Sequence, residues 1–420
     1  FDDSSLFIVA GCLLKRNSHL YPNVSTIDSI DMEKFSKLLQ CYGYKPFSED
    51  YSASTIDPRT YIWLRHFIEA HVQAKKSSGT VPDMNLPCTW IQSLDEAIKI
   101  ENSDCGGHVT PLYTNNVEGS VCANVLYALA IAIRSANSLN WFDERLQKIF
   151  DDTSNMIAWL IESETVNKRP DVVLLYYPDV EVFYYFVARI LKQLRSFDAE
   201  TLSLFPALEN ARNRLDKAMR KATIMLFDLA NCSDEEGIIF WDGVLGKGRD
   251  RLFITATCMN ALLDAWTVKN LDGQFQFLPD APEELQKYLK RASNFLCMHA
   301  TSEKYSFNNA VFSASAKSIW SYPERYPCNT FKFTDGTDFD PDSMSYDQLM
   351  DSIDSTRQCV LGVTGFVSDQ DYQTMLSNKQ FGLEQAIEMH PYTKISYWSV
   401  EDATRSMIIL ALAKYRLCHG

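Results

Sequence analysis

Five carboxylates set beside aromatic residues are the side chains in this sequence best suited to chemistry. Glu118 follows Tyr113-Thr-Asn-Asn-Val117, and Asp179 and Glu181 follow Tyr176-Tyr-Pro178. Asp242 and Asp250 flank the glycine-rich run between Trp241 and Arg251. Two carboxyl groups in a partly desolvated cleft can divide the roles of general acid and general base, as in glycoside cleavage and proton-initiated elimination. That division requires one of them to stay protonated near neutral pH, which burial or a neighbouring like charge can bring about. The same residues also suit helix capping, because Asn, Asp and Ser accept from orphan N–H groups and a carboxylate in the first turn complements the helix dipole.

Around these acids stands a supply of groups that could hold a ligand. Tyr176, Tyr177, Tyr184, Trp241, Tyr397 and Trp398 offer aromatic surface, and Arg249 and Asn260 offer polar contacts. The segments Ser306-Phe-Asn-Asn309 and Tyr397-Trp-Ser-Val-Glu-Asp402 share the pattern of an aromatic residue near Asn or Ser. Arg189, Asn260 and Asp264 interrupt otherwise apolar helices, so each must find a polar partner inside. An ion pair between Arg189 and Glu181 or Asp264 is the expected solution, with an anion-binding role for Arg189 as the alternative.

Several classes of function are excluded. A net charge of −14 repels a phosphate backbone, and no Lys/Arg stripe offsets it, so nucleic acid is not an expected partner. No run reaches the roughly 18 apolar residues of a membrane span. HExxH, GxSxG, a dinucleotide-binding fingerprint and a kinase signature do not occur, and Gly243-Val-Leu-Gly-Lys-Gly248 lacks phosphate-loop spacing. The 11 cysteines show no CxxC and no His-paired spacing, so a thiolate metal site is not expected. Cys88, Cys105, Cys232 and Cys328 lie in loop-like stretches and could pair in an oxidising compartment. Two sequons, at Asn23 and Asn231, and an opening Phe1 in place of Met tip the balance slightly toward secretion. No cofactor is expected. The Asp-rich stretch Asp335–Asp342 is the one place where a divalent cation comes into question, although Pro341 and the missing Gly and Glu break EF-hand spacing.

The elements that must position these residues alternate in character. Val121–Arg134, Val182–Leu194, Leu252–Trp266 and Met407–Leu417 are apolar on nearly every face, which predicts burial on several sides. Between them lie one-sided helices, near Glu144–Ser163, Leu208–Ala230 and Pro282–His299, with a further one at Ser345–Val360. Inner-type helices are expected to begin near Val117, Asp179, Arg251, Asn308 and Val400. The recurrence of about sixty to seventy residues fits roughly five or six helix pairs. Residues 1–110 read as an N-terminal helical segment and 111–420 as the repeats, within one continuous domain. Glu235–Arg251 reads as a hairpin or loop, with Ile238–Trp241 extended.

This alternation over Val117–Leu417 resembles the all-α (α/α) toroid group, which includes terpenoid cyclases, protein prenyltransferases and many polysaccharide-active enzymes. The resemblance is one of architecture. The DxDD and QxxxGxW motifs of toroid cyclases are absent, Asp151-Asp152-Thr-Ser-Asn155 departs from DDxxD, and no prenyltransferase zinc triad can be traced. A toroid would place the helix N-termini, and with them Tyr176, Tyr177, Trp241, Asp242, Arg249, Asp250, Glu118 and Glu181, around one mouth. The leading expectation is an apolar or amphipathic small molecule bound in a central aromatic-lined cavity. The alternatives are a metal-free acid/base enzyme (a lyase, isomerase or glycan hydrolase) using the five carboxylates, and a non-catalytic interaction protein with an acidic face.

Overall fold

The computed structural model describes residues 1–17, 19–20, 31–47, 60–91, 115–136, 138–233, 237–270, 274–312, 331–333, 338–339, 359–360 and 397–418. They are mostly helical, with a few short two- and three-residue strands. The chain divides into two compact units. The first comprises Phe1–Met156, Asp171–Leu175 and Ala314–Ile395, and the second Ile157–Pro170, Tyr176–Ser313 and Ser396–Gly420.

In the first unit α1 (Asp2–Arg16), α2 (Met32–Tyr42), α3 (Tyr61–Ser77) and α4 (Gly119–Ser135) precede α5 (Glu144–Glu162), whose last residues belong to the second unit. Helix α4 is apolar all round, and it is buried from Gly119 to Ile133 apart from Tyr127, as its composition predicts. It packs against α1, and Asn124 on α4 donates to Asp2 across 2.5 Å. Buried polar side chains tie down the approach to α4: Thr60 donates to Asn116 over 3.0 Å, and Asn115 accepts from the Trp90 N–H over 2.9 Å. Helix α5 is one-sided, burying Leu146, Ile149 and Phe150 on the predicted stripe.

In the second unit α6 (Val180–Arg195), α7 (Pro206–Asp228), α8 (Arg251–Trp266), α9 (Leu285–His299) and α10 (Glu401–Leu417) follow. Helix α8 is its centre. Every residue from Ile254 to Trp266 is buried, with α6 and α10 on its flanks and α9 also against it. Helix α7 packs on α6 and stops at Asp228; a hairpin then pairs Asn231–Ser233 with Ile238–Phe240 and leads the chain back toward α8. Side-chain contacts fix the direction of the three adjacent helices. Asp179 and Asp250, the residues before α6 and α8, meet at one end, while Lys192, Asp264 and Lys414 meet near the other, so α6, α8 and α10 run parallel. Their lateral register is set partly by Asn260, whose amide donates to its own helix at Ala256 O and to Met407 O on α10.

Two expectations need correction. The segment near Asn308 does not begin a helix: Val311–Phe312 pair antiparallel with Tyr397–Trp398, and the side chain of Asn309 accepts from the Val400 N–H and donates to Val400 O and Thr404, just ahead of and inside α10. Helix α10 is not buried on all sides either. Only the stripe Thr404, Ile408 and Ala411 is covered, whereas Ile409 and Leu417 are more than half exposed. The helix predicted at Ser345–Val360 and the Asp-rich stretch lie outside the described residues, apart from the short strands Asp338–Phe339 and Cys359–Val360.

Candidate functional site

The acids of the second unit converge on the loop between Trp241 and α8. Asp179 occupies the cap position of α6, yet its carboxylate makes no bond to its own helix; Oδ1 reaches the loop and accepts from the Val244 N–H at 2.7 Å. Asp250 turns back from the start of α8 and accepts from the N–H groups of Gly243 (3.2 Å) and Leu245 (3.0 Å). Gly243 is thereby enclosed by two carboxylates. A Cβ there would stand 2.3 Å from Asp179 Oδ1 and 2.7 Å from Asp250 Oδ2, so those two oxygens lie no more than 5.0 Å apart. Positive φ angles at Gly246 and Gly248 let the loop turn twice within six residues.

Burial governs the electrostatics. Asp179, Glu181 and Asp250 are all buried, and each carboxyl is pushed up from its ordinary range, first by desolvation. For Asp179 the neighbouring charges of Asp250 and Glu181 add to the rise, and its second oxygen, Oδ2, is buried with no hydrogen-bond partner. For Glu181, desolvation and then Asp250 bring the pKa to about 7. The Cys258 thiol on α8 is raised too, by burial and then by Glu181 and Asp179. Each of these groups keeps its proton to a higher pH than it would in water.

Asp242 behaves differently. It forms a bidentate pair with Arg251, both contacts at 2.7 Å, and the guanidinium lies 3.9 Å from the Phe240 ring centre and donates to the Tyr305 hydroxyl over 3.3 Å. Arg249 turns inward to donate to Leu245 O, and its own carbonyl accepts from Ser306. Both arginines therefore brace the loop. In the first unit, Glu118 is a buried cap of α4, accepting from the Val121 N–H at 2.6 Å, so the capping role weighed for it is realised.

The aromatic residues expected at a mouth divide. Tyr176 and Tyr177 are half-buried, with Tyr177 edge-on to Phe186 at 5.2 Å. Trp241 is wholly buried and its indole donates to Leu226 O at 2.7 Å; it is a core residue and not a rim residue, because the hairpin turns it inward. Tyr184 is likewise buried, its hydroxyl bonded to Asn167, and Asn260 lies inside α8. Tyr397 and Trp398 take part in the strand pairing with Val311–Phe312. Asp250 and Trp241 are fully buried and Glu181 nearly so. Asp264 is paired with Lys192 and Lys414 rather than with Arg189, whose guanidinium stacks 4.2 Å from the Phe186 ring.

A cavity of about 640 Å³ lies elsewhere in the unit, between the segment Ala300–Phe307 and α10. Phe307, Ile408 and Ile409 line it with apolar surface, and Tyr305, Ser302 and Arg405 add polar groups. Arg405 stacks 5.0 Å from the Phe307 ring and pairs with Glu401 at 2.8 Å. Sequence reading missed this pocket. Its one visible signal is the pair Ile408–Ile409, apolar on both sides of a helix whose first turn is acidic.

Among the described residues no cluster of His, Cys, Asp and Glu forms a metal site, and no helix is long and apolar enough to cross a membrane. Cys88 and Cys232, considered for pairing, are free thiols, the first buried and the second exposed; Cys105 and Cys328 lie outside the described residues. Comparison of the chain with protein-family models, curated proteins and solved structures gives no match.

Proposed function

We propose that the second unit binds an apolar or amphipathic small molecule in the cavity between Ala300–Phe307 and α10. The observation that carries this reading is the cavity's size and lining: about 640 Å³ lies within the range of small-molecule sites, and an apolar wall with a few polar groups is their usual composition. In this reading Phe307, Ile408 and Ile409 cover the apolar body of the ligand, and Tyr305, Ser302 and Arg405 meet its polar end. The parallel helices α6, α8 and α10 would then belong to the inner wall of an α/α toroid, which is the arrangement their alternation with α7 and α9 suggests. Native mass spectrometry and titration with the fluorescent fatty acid cis-parinarate test the proposal. Wild-type protein should bind the probe, and Ile409→Trp, a change at an exposed position that fills the cavity, should weaken binding about tenfold or more. Absence of probe binding, or equal affinity in the variant, overturns it.

A second reading, an acid/base enzyme, is favoured by one observation, the Glu181 carboxyl raised to about 7 beside Asp179 and Asp250. Incubation with a metabolite extract followed by mass spectrometry tests it. Products formed by the wild type and lost in Glu181→Gln support this reading, and no wild-type-specific product removes it.

A further inference from the structure

Three consecutive N–H groups of the loop 243–249 rest on two buried acids. Asp250 accepts from Gly243 and Leu245, and Asp179 from Val244 between them. Glu181 nearby is covered too, and the second oxygen of Asp179 is buried with no hydrogen-bond partner. Among the described residues none of these three acids forms an ion pair. The arginines on either side of Asp250 point elsewhere, Arg251 to Asp242 and Arg249 to Leu245 O, and Lys247 is exposed. The other titratable groups facing the cluster, Tyr184 of α6, Cys258 of α8 and Asp242 before the loop, bring no positive charge.

Ionising all three carboxyls would therefore place three negative charges in a space that three N–H dipoles offset only in part. Water supplies the missing solvation only if the loop lifts. The folded state holds each of these protons more tightly than water does, foremost because of burial, so the stability of the closed loop is present at low pH and is lost as pH rises. For Glu181 that loss runs from its ordinary 4.5 through about 7.

The loop also reaches the ligand cavity. The Asp242–Arg251 pair closes its base, with Arg251 donating to Tyr305 at 3.3 Å, and the Ser306 hydroxyl donates to Arg249 O. Tyr305 and Phe307, on either side of Ser306, line the cavity. We propose that the loop 243–249 is a pH-operated flap, closed while the acids beneath it keep their protons and opening as they lose them, and that through Ser306 it clamps the cavity wall that holds the ligand. The clamping rests on the cavity reading above; the flap does not.

Hydrogen exchange of the full chain, read as protection of the peptides covering 243–249 relative to their intrinsic rates, tests both parts. Returning Glu181 alone from about 7 to 4.5 on opening makes opening about tenfold easier at pH 8 than at pH 6, so wild-type protection should fall at least that much. Glu181→Gln and Asp179→Asn, which keep shape and remove a charge, should each reduce the fall. Equal protection of the wild-type loop at pH 6 and pH 8, or a fall undiminished in both variants, overturns the flap. At pH 8, cis-parinarate at ten times its dissociation constant should raise the protection of the loop about threefold or more, because a ligand that needs the closed wall favours it by up to the factor 1 + [L]/Kd. Protection unchanged by bound probe overturns the clamp. A probe that does not bind overturns the cavity reading and the clamp with it, and the unliganded comparison alone then decides the flap.

Discussion

Replacing Glu181 by Gln should remove a pH-dependent liability. In the folded chain the Glu181 carboxyl titrates at about 7, against an ordinary value of 4.5, because it is buried and lies near Asp250. Between those two values the folded state holds a proton that the unfolded state has released, so the contribution of this group is fully present below pH 4.5 and is lost as pH rises through 7. The shift corresponds to about 3 kcal/mol at 1.36 kcal/mol per unit. Glutamine keeps the shape and remains neutral at every pH. Urea unfolding of both proteins, followed by circular dichroism at half-unit steps from pH 4.5 to 8, isolates the effect as the difference between variant and wild type. That difference should climb by roughly 3 kcal/mol and level off above pH 7.5. A flat difference, or one that falls as pH rises, refutes the argument that this carboxyl is desolvated.

Gly243→Ala should destabilise the second unit by about 1–3 kcal/mol in calorimetry, since its Cβ would lie within 2.8 Å of Asp179, Asp250 and Ile254 and two of those contacts are with buried carboxylates. Trp241→Ala should cost about 3–5 kcal/mol, as much as Leu262→Ala or more, because the wholly buried indole also gives up its bond to Leu226 O. Ellman's reagent should label Cys41, Cys232 and Cys297 in the native protein, whereas Cys88, Cys122 and Cys258, buried and with thiols raised above their ordinary range, should react only on unfolding; mass spectrometry of the labelled peptides reads this directly.

The helices were legible wherever apolar spacing alone decides. The expected Glu144–Ser163, Val182–Leu194 and Leu252–Trp266 agree with α5, α6 and α8 to within two residues at each end. The convergence of Asp179 and Asp250 followed from placing both at the starts of parallel helices. What the residues could not reveal is depth. Trp241 and Asp250 sit on a glycine-rich loop, a context that reads as surface, yet that loop folds back onto α8 and both are covered. For α10, composition misled in the other direction: Ile409 and Leu410 predict a buried face, but of this helix only Thr404, Ile408 and Ala411 are buried. The lysine pair on Asp264 was invisible because Lys192 and Lys414 lie 222 residues apart, and only the parallel packing of three helices brings them together.

The bond from Asn260 to Met407 O has a consequence for when this protein can finish folding. It joins residues 147 positions apart, so a chain emerging from the ribosome has made α6 through α9 long before the last neighbour of α8 exists. During that interval the Asn260 amide lacks its Met407 carbonyl and Asp264 lacks Lys414. Until then these two polar groups of the central helix lack those partners, and the docking of α10 acts as the step that commits the unit. A chain cut just before Glu401 should stall at that stage, with secondary structure formed and cooperativity lost.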